Sequence, residues 1–321
     1  MDDTQIAVVT GPLTEADAGA VRRLVRAAEH VDGVAPLSEQ PLLWLTDPAA
    51  RVAHLLVRAA DDLAGYAQVD LAVAGAASAE LVVHPFARRH GVGSGLLDRA
   101  QLLAQAGRRT LKVWAHGDLP AARALADRAG LTVVRELWKM DLDLTTYRTE
   151  TLHLPGGVHL ATFRPGADDA AWLEVNARAF ASHPEQGRLT AADLATRMNE
   201  PWFDPESFLL AWRGAELLGF SWLKVSGVAT DAGKAGGTGE IYALGVDPSA
   251  RGLRLGSALT RASLDRLAAL GLATAELYTE GDNTVAVHTY SAVGFTRVAV
   301  DVQLGLARGT QNSSSDVTMN L

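Results

Sequence analysis

The sequence of 321 residues contains no cysteine, which excludes a disulfide framework, a thiolate metal site and a cysteine nucleophile. Its nine histidines include no pair at the H-x-x-x-H spacing of a zinc-binding helix. No apolar run approaches the roughly 20 residues of a membrane-spanning helix. The N-terminal MDDTQ lacks the basic and apolar regions of a signal peptide. These absences predict a cytoplasmic protein without a bound metal and without a membrane segment.

Positive charge is also scarce, because 29 Lys and Arg are outnumbered by 37 Asp and Glu, for a net charge of −8. A protein that binds nucleic acid in general would show a basic domain instead. Basic residues are nevertheless concentrated at two places, Arg88-Arg89-His90 and Arg251 with Arg254. An anionic ligand is therefore expected at these two places, and no binding to nucleic acid is expected.

The same short plan occurs twice in the chain. Residues 81–97 read LVVHPFARRHGVGSGLL, and residues 244–260 read LGVDPSARGLRLGSALT. Each segment is an apolar strand, a turn with proline, and a basic, glycine-bearing start of an amphipathic helix. The two helices are expected at about 91–106 and at 254–270. The separation of the two segments is constant at 163 positions, the difference between Pro248 and Pro85. This regularity indicates an internal duplication.

Two domains agree with the length and with a hydrophobic content of 48%. Apolar periodicity predicts the same order of strands and helices in both halves, so each half is expected to be an α/β domain with a mixed sheet and helices packed on it. The connection from Thr145 to Gly157 has little periodicity and contains Pro155-Gly156-Gly157. We therefore predict domains at 1–150 and 151–321.

The repeated turn has the chemistry of a phosphate site. The first turn of a helix leaves backbone N–H groups unpaired, and the helix dipole adds roughly half a positive charge there. Glycines let a ligand approach the backbone. For one copy alone, a glycine-containing turn with solvated arginines is an equally good interpretation, and the duplication favours binding. Leu96 breaks G-x-G-x-x-G, no GKS or GKT is present, and Ser94 lacks the flanks of a nucleophile elbow.

The segment Arg88-x-x-Gly91-x-Gly93 resembles the R/Q-x-x-G-x-G/A signature of the GNAT acyl-CoA N-acetyltransferases. This resemblance implies two tandem GNAT domains that bind the pyrophosphate of acetyl-CoA at the repeated turns. In the second copy, Arg254 stands where the first glycine of the signature belongs. A side chain there would either crowd the phosphate or add a guanidinium contact.

More of the chain is similar to one branch of this family, the tandem-GNAT mycothiol synthases of actinobacteria. The similarity runs nearly end to end, through VDGVAP, AELVVHP, VWAHG, AFASHPEQG, WFDP, GFSWLKV, LGVDP and DNTVAVHTYSAVGF. It implies transfer of the acetyl group of acetyl-CoA to the cysteinyl amine of a cysteine–glucosamine–inositol conjugate, which yields mycothiol and CoA. It further implies a small-molecule acceptor, and a monomer is expected.

The resemblance also implies which residues bind the ligands. In the first half the coenzyme is expected at Leu81, Val82, Val83, Arg88, Arg89, His90, Gly91, Val92, Gly93 and Ser94. In the second half it is expected at Leu244, Gly245, Val246, Arg251, Gly252, Leu253, Arg254, Leu255, Gly256, Ser257 and Asn283. The acceptor is expected at Glu39, Glu185, Lys224, Glu240 and Tyr278, so that the first half would contribute Glu39 to the cleft.

Comparison of the two halves points to the catalytic groups. Alternation along the strand places Glu240, Tyr242, Leu244 and Val246 on one face, and the constant separation aligns Glu240 with Ala77. The carboxylate of Glu80 aligns with Ala243, on the opposite face, and is expected to be solvated or capping. Downstream, Asp118 to Gly130 matches Asp282 to Gly294 with a separation of 164, which aligns Tyr290 with Ala126. The first half therefore lacks both polar groups.

Taken alone, Glu240 would be a surface carboxylate and Tyr290 a core aromatic, and the resemblance favours catalytic roles for both. Transfer to an amine needs a base, because an ammonium has no lone pair, and an acid for the departing thiolate. Glu240 is predicted to deprotonate the ammonium through water, and Tyr290 to protonate the sulfur after direct attack. Backbone N–H groups of Leu244 to Val246 are expected to bind the carbonyl oxygen.

Two other functions remain open on the sequence. A related GNAT enzyme would acetylate another amine, such as an aminoglycoside or a peptide N-terminus. A non-catalytic acyl-CoA-binding protein would bind coenzyme without turnover, although the presence of both Glu240 and Tyr290 argues against it.

Overall fold

The computed structural model of the protein describes residues 5–59, 62–181, 184–226 and 236–306. The chain forms two compact units, one of Met1–Leu137 with Val300–Leu321 and one of Trp138–Ala299. The boundary near residue 150 remains a prediction about the sequence repeat. Packing divides the chain earlier than that position and returns the last described strand, from Val300 onward, to the first unit.

The secondary structure elements follow the order that the repeat predicts. The strands are β1 (Ile6–Thr10), β2 (Val52–Ala59), β3 (Asp62–Asp70), β4 (Ala76–Val83), β5 (Thr110–Ala115), β6 (Leu131–Asp143), β7 (Val158–Thr162), β8 (Phe208–Arg213), β9 (Glu216–Ser226), β10 (Thr238–Val246), β11 (Thr274–Glu280) and β12 (Thr296–Leu306). The helices are α1 (Glu15–Asp32), α2 (Glu39–Leu43), α3 (Val92–Ala106), α4 (Pro120–Arg128), α5 (Asp169–Ala179), α6 (Pro184–Gly187), α7 (Ala191–Met198), α8 (Leu255–Ala269) and α9 (Thr284–Ser291). Within the described ranges, no helix has both the length and the apolar character needed to cross a membrane.

Each unit contains a mixed sheet. In the first unit β1 to β5 lie side by side in chain order, and the sheet continues with the portions of β12 and β6 that belong to that unit. In the second unit the order is β6, β11, β10, β9, β8 and β7. The β4–β5 and β10–β11 pairs are parallel, whereas β3–β4 and β9–β10 are antiparallel. The predicted mixed sheet with packed helices is therefore confirmed for both units.

Helices cover both faces of each sheet. In the first unit one apolar cluster joins α1 to the sheet and another joins α3 to it. In the second unit α8 lies over one face, while α5 and α7 pack on the other face around Trp172 and Trp222. The helix starts predicted at the two repeated turns are confirmed within one residue, at Val92 and Leu255. Each turn first forms a short 3-10 helix that begins at its proline.

The parallel strands diverge in both units. Pairing of β10 with β11 covers Thr238 to Ile241 and ends there, although β10 continues to Val246. Pairing of β4 with β5 likewise covers Ala76 to Ala79. The carboxyl half of each central strand consequently has one backbone edge without a strand partner among the described residues. Such an edge leaves backbone N–H and C=O groups available to a ligand.

A β-bulge distinguishes the second unit from the first. In the β9–β10 ladder Ile241 pairs with Leu223 and Ala243 with Trp222, so Tyr242 is an extra residue. The bulge turns Leu244 toward α8, while Tyr242 and Ala243 pack in the cluster on the opposite face. The prediction that Glu240, Tyr242, Leu244 and Val246 share one face is therefore wrong. Simple alternation does not hold across an inserted residue.

The bulge also changes which residues of the two units correspond. On the parallel partner strands, Glu240 pairs with Glu276 and Ser78 pairs with Lys112. These partners are 164 positions apart, the same separation that relates Asp282 to Asp118. Ser78, rather than Ala77, is therefore the structural counterpart of Glu240. The same reasoning places Glu80, which matches Ala243, on the face that corresponds to the Glu240 face, contrary to the prediction.

Candidate active site

A row of charged side chains crosses one face of the second unit. Glu240 on β10 pairs in register with Lys224 on β9 and with Glu276 on β11. Neighbouring strands lie about 4.8 Å apart, so side chains in register on one face are within reach of one another. The row ends on β6, where the Nζ atom of Lys139 lies 2.7 Å from Oε2 of Glu276. This arrangement offers two carboxylates between two ammonium groups.

Aromatic rings hold the two lysines of this row. Nζ of Lys224 lies 4.9 Å from the ring centroid of Trp202 and 5.4 Å from that of Tyr242. Nζ of Lys139 lies 5.9 Å from the ring of Tyr278, which is 41% exposed. A cation over an aromatic face is attracted by the ring quadrupole. The lysines are thereby fixed beside an exposed surface that suits a polar ligand.

The structure brings three predicted acceptor residues, Lys224, Glu240 and Tyr278, onto neighbouring strands of the second unit. Glu39 begins α2 in the first unit, and its part in the cleft stays a prediction. The side chain of Glu185 lies outside the described part of the structure. Sequence reasoning missed Glu276 and Lys139. The position of Glu276, two residues before Tyr278, was the available signal, because alternate residues of a strand share a face.

Tyr290 lies in a different environment from Glu240. Its side chain is 8% exposed and belongs to the apolar cluster under α8, with its ring edge-on to Phe295 at a centroid distance of 5.9 Å. Burial raises the pKa of its hydroxyl to about 12. The hydroxyl has no hydrogen-bond partner in the part of the chain that the structure describes. The phenol therefore keeps its proton throughout the neutral range.

The two predicted catalytic groups approach the sheet from opposite faces. Glu240 lies on the face opposite to α8, whereas Tyr290 packs in the cluster on the α8 side. The place open to both faces is the gap where β10 and β11 diverge beyond Ile241. A thioester bound in that gap could be reached by both groups. The predicted pairing of Glu240 and Tyr290 around one ligand stays a prediction.

The two coenzyme turns have the same backbone conformation at two positions. Arg89 and Gly91 take left-handed φ angles of 67° and 87° in the first turn, and Gly252 and Arg254 take 82° and 58° in the second. Glycine adopts this conformation without penalty, while arginine is strained there. Arg254 therefore reproduces the backbone of the glycine that it replaces. Its side chain is exposed, so the chain itself does not press it into the turn.

The charges at the two turns differ. Arg88 donates two hydrogen bonds to Asp32, at 2.8 and 2.7 Å, and a third to the carbonyl oxygen of Val83. Its counterpart Arg251 is exposed, and neither its side chain nor that of Arg254 has a hydrogen-bond or ion-pair partner in the described ranges. The second turn consequently presents two arginines to solvent. In the first turn one of the basic groups is already neutralised by a carboxylate.

The other predicted coenzyme residues occupy the strand ends and helix starts. Val92 and Leu255 are core residues, so only their backbone can face a ligand. Asn283 caps α9, and its Oδ1 accepts a hydrogen bond of 3.1 Å from the Ala286 amide. The remaining residues lie at the carboxyl ends of β4 and β10, in the turns that follow, or in the first turns of α3 and α8, namely Leu81, Val82, Val83, His90, Gly93, Ser94, Leu244, Gly245, Val246, Leu253, Gly256 and Ser257. Their contacts with a coenzyme stay predictions.

In the first unit, Glu80 belongs to a buried network. It is 7% exposed and accepts hydrogen bonds from the Ser38 amide at 2.6 Å, from Ser38 Oγ at 2.7 Å and from Nε2 of His116 at 3.2 Å. The other ring nitrogen of His116 lies 2.9 Å from Oδ2 of Asp301, whose second oxygen accepts from the Gly117 amide at 2.7 Å. The expectation of a solvated Glu80 is therefore wrong, whereas its contact with the amide of Ser38, the N-cap residue of α2, agrees with the alternative of a capping carboxylate.

His116 carries a positive charge in this network. Burial disfavours the charge, but hydrogen bonds and Coulomb attraction from Asp301 and Glu80 outweigh it and raise the pKa of His116 to about 10. An imidazolium consequently sits against the carboxylate of Glu80 at neutral pH. Sequence reasoning missed this contact, because Asp301 follows His116 by 185 positions and no local pattern joins them.

Comparison with known proteins places these features in a family. The Acetyltransferase (GNAT) family matches residues 172–295. A mycothiol acetyltransferase of Sanguibacter keddieii is 66% identical over 95% of this chain and 98% of its own length. A mycothiol acetyltransferase of Cellulomonas flavigena is 52% identical over 94% of this chain and 89% of its own. Among solved structures, a tandem GNAT protein from the clavulanic acid biosynthesis pathway aligns with a TM-score of 0.69 at 20% identity, over 94% and 98% of the two chains. The predicted fold, two GNAT domains in tandem, is thus confirmed.

Proposed function

Because this chain belongs to the mycothiol acetyltransferases, a branch of the GNAT acetyltransferase family, we propose that it acetylates the cysteinyl amine of a cysteine–glucosamine–inositol conjugate. Acetyl-CoA is the proposed donor, and mycothiol and CoA are the products. The observation that carries this proposal is the set of Lys224, Glu240 and Tyr278 on one face, beside the gap between β10 and β11. Fixed charges and hydroxyls of this kind suit a polyhydroxylated amine.

In the proposed mechanism the acceptor reacts directly with the thioester. Glu240 takes a proton from the ammonium, through a water molecule, and the amine that forms attacks the carbonyl carbon. The tetrahedral intermediate develops negative charge on oxygen, and backbone N–H groups of Leu244 to Val246, on the strand edge that β11 does not cover, stabilise it. Collapse breaks the carbon–sulfur bond and the sulfur takes a proton from Tyr290. The nitrogen loses its second proton to solvent, and solvent returns a proton to Tyr290. No covalent intermediate on the protein is required.

Tyr290 is the proposed acid for the sulfur. Its raised pKa keeps the hydroxyl protonated at every pH at which the enzyme would work. Because such a phenol is a weak acid, the transfer becomes favourable only as charge accumulates on the departing sulfur. The phenol thus donates a hydrogen bond before it gives up a proton. Its apolar surroundings strengthen that hydrogen bond.

We assign the coenzyme pyrophosphate to the turn before α8. Arg251 and Arg254 are exposed there, and the first turn of α8 directs backbone N–H groups into the same space. Charged hydrogen bonds from guanidinium to phosphate are among the stronger polar contacts. The charged contacts of the two arginines with the phosphates support binding at the second turn more strongly than the open space that the signature glycine would leave in place of Arg254.

We propose that the first unit binds coenzyme without catalysing transfer. Its counterpart of Glu240 is Ser78, which cannot act as a carboxylate base. The nearest carboxylate on that face, Glu80, is occupied by Ser38 and His116. An acceptor ammonium would therefore have to displace an internal cation. The proposed enzyme is a cytoplasmic monomer that acts on a small molecule. The net charge of −8 argues against nucleic acid as its substrate.

The test is mass spectrometry of the products formed by the purified protein from acetyl-CoA and the cysteinyl conjugate. We expect the acetylated conjugate and CoA, released with a free thiol, in equal molar amounts. Glu240→Gln should lower kcat by roughly a hundredfold or more, whereas Ser78→Ala, the matched change in the first unit, should leave kcat unaltered. Acetylation of a competing amine in preference to the conjugate would indicate the related-GNAT function. Coenzyme binding without any product would indicate a binding protein.

A further inference from the structure

The charged face of the second unit extends past Glu240 to Glu276 on β11 and to residues of β6, none of which has a role in the mechanism above. Met140 and Leu142 of β6 pack in the apolar cluster under α8, so the alternate residues Lys139 and Asp141 face the other way. Ala275 and Leu277 of β11 pack in the same cluster, which directs Glu276 to the face of Lys139. Glu276 thereby stands between Glu240 and Lys139.

Two features show that this extension is organised. The side chains of Lys139 and Glu276 are 29% and 20% exposed, and their ion pair spans 2.7 Å. Both partners are shielded from water more than the partners of an ordinary surface ion pair. In addition, Oδ1 of Asp141 is buried and has no hydrogen-bond partner among the described residues. Buried carboxylate oxygens without a donor are rare in folded proteins.

We propose that Glu276, held by Lys139, is a further positioning residue of the acceptor site, which binds the acceptor ammonium jointly with Glu240 and directs its proton to Glu240. This inference rests on the proposed function. Two carboxylates on adjacent strands repel each other, and the repulsion is relieved when a cation lies between them or when one of them takes up a proton. Glu276 is ion-paired with Lys139, so we assign the proton to Glu240.

The surrounding charges agree with this division. The described residues that face Glu240 come from the neighbouring strands, namely Lys224 of β9, Glu276 and Tyr278 of β11, and Lys139 and Asp141 of β6. Tyr242 lies on β10 itself. Its hydroxyl accepts a hydrogen bond of 2.9 Å from Arg197 of α7. Lys224 is held over two aromatic rings. Burial disfavours the charged form of Lys139. The hydrogen bond to Glu276 and Coulomb attraction to Glu276, Asp141 and Glu240 outweigh burial and raise the pKa of Lys139.

The test compares two variants that change the charge beside Glu240 in opposite directions. Glu276→Gln removes an anion and leaves the Lys139 cation, so the acidic limb of the kcat/KM profile should move down by about one pH unit. Lys139→Met removes the cation, so the same limb should move up by a similar amount. Glu276→Gln should also raise the KM of the acceptor about tenfold, with the KM of acetyl-CoA unchanged.

Arg261→Gln serves as the matched control, because Arg261 lies on α8, away from this face, and the change breaks its ion pair with the exposed Glu150. Its pH profile and KM values should match those of the unmodified protein. Shifts of both test variants in the same direction, or a profile of Glu276→Gln that coincides with the control, would overturn the inference. Product formation by the unmodified protein tests the proposed function separately, and whichever amine it acetylates can be used for the profiles.

Discussion

The buried cation of the first unit allows a quantitative prediction for His116→Gln. The pKa of His116 is raised from 6.5 to about 10, and one pKa unit corresponds to about 1.4 kcal/mol. The network should therefore stabilise the folded first unit by roughly 5 kcal/mol when the histidine is charged in both states. Breaking a buried ion pair from one side costs about 3–5 kcal/mol by general experience. Glutamine is neutral, so the variant should lose a free energy of this size.

The dependence on pH follows from the sign of the shift. A histidine with a raised pKa contributes its full stabilisation below pH 6.5, and the contribution is lost as the pH rises through about 10. Between pH 6.5 and pH 9, the free-energy difference between the unmodified protein and His116→Gln should shrink by roughly 3 kcal/mol, at about 1.4 kcal/mol for each pH unit.

Hydrogen exchange followed by mass spectrometry provides the measurement, because peptides from β4 and β5 report on the first unit separately from the second. His54 provides a contrast in the same unit, since burial lowers its pKa to about 4. Its contribution should be present above pH 6.5 and be lost as the pH falls toward 4, the opposite trend. If the difference between the unmodified protein and His116→Gln stayed constant from pH 6.5 to pH 9, the assignment of a buried imidazolium would be refuted.

Two further changes test the coenzyme turn and the proposed acid. Arg254→Gly should stabilise the protein by about 1 kcal/mol, because it removes an arginine from the left-handed backbone conformation; thermal melts measure this effect. The same change should weaken coenzyme binding several-fold, because it removes a charged contact. Calorimetry measures the binding, and tighter binding would contradict the assignment. Tyr290→Phe should lower kcat about a hundredfold with little change in the KM of either substrate. If the pH profile of kcat has an alkaline limb well below pH 12 and Tyr290→Phe keeps it, the limb belongs to another group. If the limb disappears in the variant, the phenol has a lower pKa in the complex.

The fold and the turns could be predicted from the sequence because the signals that define them are local. The repeated proline, arginine and glycine positions locate both helix starts, and α3 and α8 begin and end within one residue of the expected positions. Buried helix residues such as Leu96 and Ala100 follow from the helical period. Local patterns of this kind depend on neighbours within a few residues, which the sequence displays directly.

The faces of β10 could not be predicted, because a bulge depends on the register with the neighbouring strand. The stretch around Tyr242 alternates regularly in burial, yet the residues before and after it are buried on opposite sides of the sheet. The error reached the comparison of the two halves, where Glu240 was matched with Ala77 instead of Ser78. The role of Asp301 was hidden for a similar reason, since its partner lies far away in the sequence.

The assignment of β12 to two units has a consequence for synthesis of the protein. Residues 302–305 of this strand pair with β5 of the first unit, and a ribosome adds them only after the whole second unit. The amino-terminal portion therefore emerges with an uncovered strand edge, and it completes its sheet only after the second unit has been synthesised. A transcript that ends before codon 300 would leave that edge exposed, and exposed strand edges promote aggregation.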